Sequence, residues 1–244
     1  MKALLVFFLG GTIFLLIAGI LALGYLGFIP GLSAAFGSDK PRDLGVTYSE
    51  AEFDGYVAKG GSELIAMPES DGVKTVRSEG TKPLTAGFTG EEISARINYS
   101  PWKYMPLRNV QVKIHDDGTL EASGILAVDR IAGFLSQIGG TGVSDADVRA
   151  GLSKLGIIPT DPPVYFKGSG SVTRNVATVN VRAAEIGRMP VPLAAVNADE
   201  VLTGLVNEII SGTEGLKVDS ATFSGGVLKF EGMVPEKIYS VRNN

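Results

Sequence analysis

The chain contains no cysteine. That excludes disulfides, thiolate zinc sites and thiol redox chemistry, so the fold has to rely on its core alone. A single histidine, His115, and a single tryptophan, Trp102, occur among 244 residues. Any histidine-dependent triad would have to use His115, together with a serine and an orienting carboxylate. Asp116 and Asp117 adjoin it, but neighbouring strand positions point to opposite faces, and His115 reads as a solvated residue beside a turn. A basic field is missing too: the formal net charge is −4, which removes the electrostatic footprint of a nucleic-acid binder. Charge of either sign is absent from Ala3 to Ile29.

That uncharged stretch organises the rest. Of its 27 residues, 17 are Leu, Ile, Phe or Val, and Thr12 is the one strongly polar residue. As a helix it would span roughly 40 Å, more than the ~30 Å hydrocarbon core of a bilayer. Its insertion is worth on the order of −5 to −10 kcal/mol. The reading is an uncleaved transmembrane anchor over 1–30. Two alternatives compete. A signal peptide cleaved near Ser33 and Ala35 would need an apolar core of only about 7–15 residues. A buried core helix is rarely this long without a polar face. Positive residues before and after the stretch nearly balance. An anchor this close to Met1 with a long chain behind it places the remainder outside the cell, on a single-pass membrane protein.

Behind the anchor, residues 31–43 read as a small-residue linker. Residues 44–88 form an N-terminal α/β segment, with a helix over Thr47 to Lys59 opened by Ser49 and Glu52 as a capping box. Residues 89–244 form the main extracytoplasmic domain. There Thr89 and Glu92 open a helix through Asn98. Val110, Val112 and Ile114 alternate with polar neighbours as one strand, and Asp116-Asp117-Gly118 turns the chain into its partner. Helices follow at Ile131 to Ile138 and after Ser144. A second hairpin runs from Val164 to Ala184 around Thr173-Arg174-Asn175. Asn197 with Glu200 opens the most amphipathic helix, whose apolar stripe is Val201, Leu202, Leu205, Val206, Ile209 and Ile210. Leu216 to Val234 forms a third hairpin. The fold class is α+β: a long twisted antiparallel sheet of hairpins with helices packed on one face.

No constellation of residues carries catalysis. Asp116-Asp117 lacks ligand spacing, Ser153-Lys154 are helix neighbours that do not face each other, and Gly168-Ser-Gly-Ser-Val lacks the Gly-Lys-Ser/Thr ending of a phosphate loop. No enzyme activity, metal or cofactor is expected. Trp102, Tyr104 and Met105 combine aromatic and soft side chains in a loop beside Pro106. They are either an interface or membrane-surface contact or a cluster packed over an open end of the sheet.

The segment Phe88-Thr-Gly-Glu-Glu-Ile-Ser-Ala-Arg-Ile-Asn98 resembles the entry helix of the YpmS-like family of membrane-anchored bacterial envelope proteins. Val110-Gln-Val-Lys-Ile-His-Asp-Asp-Gly-Thr-Leu-Glu-Ala-Ser-Gly124 looks like that family's following hairpin. Ile186 to Pro192 and Phe230 to Pro235 are similar to its later segments. The family looks related to the tubular lipid-binding (TULIP) superfamily, and the resemblance implies a long curved sheet around a helix with an apolar groove. It supplies no catalytic residues.

Two functions follow. The first is a membrane-tethered binder of a lipid or other apolar ligand, in a groove lined by Val110, Val112, Ile114, Val164, Phe166, Leu202, Leu205, Val206 and Ile209. The second is a non-catalytic envelope scaffold or interaction module with no ligand cavity. Nucleic acid is expected as a partner of neither.

Overall fold

A computed structural model describes residues 15–27, 29–69, 74–137, 146, 150 and 161–242. The helix expected after Ser144 lies outside the described residues, apart from positions 146 and 150, and so do residues 3–14 of the apolar stretch. The described part of that stretch is helical over 15–25 (α1). Among the described residues no helix is long and apolar enough to cross a membrane.

The segment expected as a plain linker contains a short helix, α2 (Pro30–Phe36), folded back against the end of α1. Ser33 and Ser38 are buried, and both hydroxyls donate to the Gly24 carbonyl oxygen at 3.0 Å. Helix α3 (Glu50–Gly60) has Ser49 as its N-cap and the full capping box with Glu52, as its sequence predicts. Three strands follow: β1 (Glu63–Met67), β2 (Val76–Glu79) and β3 (Lys82–Thr89). Helix α4 (Gly90–Asn98) opens on the Thr89–Glu92 capping box.

The remaining hairpins form as the alternation and turn residues indicate. They are β4 (Leu107–Ile114) with β5 (Leu120–Leu126), β6 (Pro163–Thr173) with β7 (Val176–Ile186), and β9 (Lys217–Ser224) with β10 (Val227–Val234). Arg174 and Asn175, and Gly225 and Gly226, all have positive φ, the geometry that matches the twist of tight hairpins. Helix α5 (Ile131–Gln137) follows a 3₁₀ turn at Val128–Arg130. The Met-Pro-Val-Pro stretch supplies β8 (Met189–Pro190), helix α6 spans Ala198–Gly212, and β11 spans Lys237–Val241. Asn197 does not cap α6 with its side chain; its backbone is left-handed, with φ of 48°.

The architecture is α+β, with a curled antiparallel sheet in the order β3-β10-β9-β6-β5-β4. Strand β6 joins its halves. Its first part pairs β5 (Ile125 with Pro163 through Leu120 with Gly168), its last part pairs β9 (Ser171 with Thr222), and β7 runs along its other edge. A second, three-stranded sheet has the order β1-β11-β2, and β1 runs parallel to β11. No hairpin rule gives that pairing, because the partners are far apart in sequence. The 44–88 segment is therefore interleaved with the main domain: β3 pairs β10, and β1 and β2 pair β11.

The helices do not simply blanket one face. Two of them lie along sheet edges and hydrogen-bond the edge backbone through side chains. On α6, the Asp199 carboxylate, Thr203 hydroxyl and Asn207 carbonyl oxygen accept from the backbone N–H groups of Val181, Val179 and Ala177, at 2.7, 3.1 and 2.9 Å. On α4, the Ser94 hydroxyl accepts from Val112 N–H at 2.8 Å and the Asn98 carbonyl oxygen from Val110 N–H at 2.9 Å. Every fourth helical residue advances about 6 Å, and every second strand residue about 6.8 Å. The two repeats nearly match, so one polar stripe can serve successive outward N–H groups. Gly90 is required for the close approach of α4, since a Cβ there would overlap the Val112 carbonyl oxygen.

Ser94 is fully buried and links the Gly90 carbonyl to Val112 N–H. Ser94→Ala leaves that N–H without its acceptor and is expected to cost about 1–3 kcal/mol, measured by thermal unfolding of the full chain. The triple variant Asp199→Ala, Thr203→Ala, Asn207→Ala is expected to speed amide exchange at 177, 179 and 181 selectively. Unchanged exchange at those three amides would show that the α6 stripe does not protect the edge.

Candidate functional site

Cross-strand register sorts the central residues onto two faces. Val112, Ala122, Phe166 and Ala184 stand in one row on the inner face. Lys113, Glu121, Lys167 and Ala183 stand in the next row, on the outer face. The expected strand residues Val110, Val112, Ile114, Val164 and Phe166 are brought to the inner face together.

A cavity of about 450 Å³ lies between that face and α6. Its size falls within the roughly 300–1,000 Å³ typical of small-molecule sites. Phe166 from β6 and Leu202, Leu205 and Val206 from α6 line it, as the helical stripe and strand alternation indicate. Val110, Val112, Ile114 and Val164 do not line it; Val110 and Val112 are 2% and 5% exposed and pack as core. Ile209 lines a neighbouring cavity of about 260 Å³ instead, beside Trp102 and Phe134. Val179 and Phe223 complete the larger cavity's apolar wall. Both sit at alternating positions of hairpins whose strands the sequence marks, so the signal was present, but which face turns inward depends on the sheet's curl.

A third cavity, of about 240 Å³, shares Leu228 with the first, and is walled by Phe88, Leu216 and Phe230. It shares Arg96, Thr213 and Ile238 with the second. Three hollows thus adjoin one another through shared lining residues, and the one beside Trp102 is walled by helices and the short sheet rather than by the curled one. Burial lowers the Arg96 guanidinium below its usual value, opposed by the nearby Tyr56, over whose ring it lies at 5.9 Å. Burial likewise raises the Tyr56 phenol. Arg96 went unnoticed in sequence because it reads as a charged helix residue. Its spacing, three after Ile93, places it beside that apolar residue on the helix surface.

Trp102 is turned inward: it is buried, donates from Nε1 to the Thr75 hydroxyl at 3.2 Å, and packs at a tilt against Phe134, with ring centroids 5.8 Å apart. The Tyr104 hydroxyl donates to Glu69 at 2.8 Å and its ring covers Gly133. Met105 is half-buried, its carbonyl accepting from Arg130 at 3.4 Å. The loop closes one end of the inner face, beside the short sheet.

The outer face carries a polar cluster. Glu121 accepts from Tyr165 at 2.7 Å and Lys167 at 3.0 Å, with His115 Nε2 at 2.9 Å. Burial alone would raise the Glu121 carboxyl; the three hydrogen bonds and the Lys167 charge outweigh it and bring the group down to about 2. Burial, then Glu121 itself, pushes the Tyr165 phenol up to about 12. Arg42 lies 4.5 Å over the Tyr165 ring and forks onto Glu185 at 2.6 Å. Among the described residues no group of three or more His, Asp or Glu is placed to hold a metal ion. The cluster ties β4, β5 and β6 together. The chain matches no protein-family model, no curated protein and no solved structure.

Because Glu121 is depressed from 4.5 to about 2 in the folded chain, its contribution of up to roughly 3 kcal/mol is present above pH 4.5. It is lost as pH falls through that window. Glu121→Gln should lower the thermal midpoint at pH 7 and flatten its fall between pH 4.5 and pH 2. A variant with the wild-type acid profile would show that other carboxylates govern acid unfolding.

Proposed function

We propose that this chain is a membrane-tethered extracytoplasmic protein that holds a lipid or other apolar ligand between α6 and the curled sheet. The observation that carries the reading is the cavity of about 450 Å³ walled by Phe166, Val179, Leu202, Leu205, Val206 and Phe223. An apolar pocket of that size, with adjoining hollows of about 240 and 260 Å³, suits a flexible hydrocarbon better than a compact polar substrate. The resemblance to the YpmS-like and TULIP proteins points the same way.

The tether draws support from the uncharged stretch before Pro30 and from the surface of α1. Leu15, Leu16 and Ile17 are 71%, 62% and 52% exposed, and Ile20, Leu21 and Leu23 are exposed as well. A helix apolar on every side is at home in lipid rather than in water. The alternative of a scaffold without a cavity had its motive in Trp102, Tyr104 and Met105. Trp102 turned inward weakens that motive.

In membranes holding the full chain, a neutral alkyl diazirine is expected to label peptides spanning 163–179 and 198–212. Leu205→Trp fills the space and is expected to reduce that labelling by roughly tenfold or more, with little change in melting temperature. Labelling confined to residues before Pro30 would overturn the ligand reading. The tether is checked separately: the chain is expected to stay with the membrane pellet after an alkaline carbonate wash, and its release into the supernatant would overturn it.

A further inference from the structure

Arg96 stands where two of the hollows meet. It lines both the cavity of about 240 Å³ and that of about 260 Å³. Among the described residues its guanidinium has no carboxylate or hydrogen-bond partner. The nearest acidic helix neighbour, Glu92, is committed elsewhere: it receives Lys59 at 2.7 Å and closes the α4 capping box. Tyr56 offers only the face of its ring. Arg96 is half-buried, and a guanidinium drawn partly out of water without an anion is destabilising, so an anionic partner at this place would be favoured.

The surroundings are polarised along the chain of hollows. On the side of Trp102 and Phe134 the lining holds, among the described residues and besides Arg96, one free cation, Lys74, and one anion, Glu214, while the Arg77 guanidinium is turned to the other face of its strand, 4.2 Å over the Tyr239 ring. On the other side, the wall is Phe88, Leu216, Leu228 and Phe230, and beyond Leu228 lies the large cavity under α6. A guanidinium without an anion at the junction and hydrocarbon on the side of Leu228 match an amphiphile, not an uncharged oil. The planar fork of arginine fits two oxygens of a carboxylate or phosphate at once.

We propose that the ligand is an anionic amphiphile, whose carboxylate or phosphate headgroup is held by Arg96 and whose acyl chain runs past Leu228 into the cavity beneath α6. This rests on the apolar-ligand reading above and adds the ligand's charge and direction.

Membranes holding the full chain are to be labelled with three diazirine probes of equal chain length: a fatty acid, its alcohol and its monoalkyl phosphate. The acid or the phosphate is expected to label peptides 163–179 and 198–212 at concentrations roughly tenfold lower than the alcohol. Whichever anion is stronger identifies the headgroup. Arg96→Met is expected to abolish the preference while leaving alcohol labelling intact, and Arg96→Lys to keep part of it. Equal labelling by all three probes in the wild type would overturn the anionic headgroup and leave the apolar cavity standing; that comparison needs no variant to fold. A preference that survives Arg96→Met would overturn the role of Arg96. Absence of labelling at both peptides by every probe would remove the cavity reading itself.

Discussion

The match between a helix repeat of about 6 Å and a strand repeat of about 6.8 Å governs how this protein is built. An open antiparallel sheet leaves outward N–H groups along its edges, which invite further strands. Here Asp199, Thr203 and Asn207 occupy those of β7, and Ser94 and Asn98 occupy those of β4. The helices are fixed parallel to the edges by these bonds. Once α6 is so aligned, its neighbouring stripe of Leu202, Leu205 and Val206 has no choice but to face the inner surface. The cavity is a by-product of edge protection: a helix tied to the rim stands off from the sheet floor, and Phe166 and Val179 cannot close the gap.

The two faces then divide their duties. The outer face is locked by the Glu121, Tyr165 and Lys167 cluster, which bridges β5 and β6 and reaches back to His115. The inner face is left free to be hollow. Rigidity on one side lets the other tolerate empty volume. Arg96 is the exception on the hollow side, a charge set among aromatic and aliphatic walls, and for that reason the most informative residue there.

Much of the local structure was legible in the residues. The capping boxes at Ser49 and Thr89 announce α3 and α4, Asp-Asp-Gly and Ser-Gly-Gly announce turns, and period-two alternation announces β4 and the later hairpins. The inward stripe of α6 was equally plain. What local signals do not contain is long-range pairing. Nothing in Glu63 to Met67 says that it runs parallel to Lys237 to Val241. Nor does spacing reveal that Thr203 and Asn207 serve a strand's backbone, since the same residues suit a solvated helix face. Val110 and Val112 were assigned to a groove because alternation identifies a face but not where the curl leaves a gap. Gly31 to Phe36 reads as linker because its residues are small, and the contacts of Ser33 and Ser38 with Gly24 supply what the sequence does not.

The parallel pairing of β1 with β11, which also places β11 between β1 and β2, sets an order of events during synthesis. Residues near Leu64 and Ser78 leave the ribosome long before Ile238 exists. At translation rates of about 5–20 residues per second the wait is roughly 10–30 s. Through that interval both strands expose unmatched backbone and hydrophobic side chains such as Ile65 and Val76. The small sheet can therefore close only after Lys237 to Val241 have emerged.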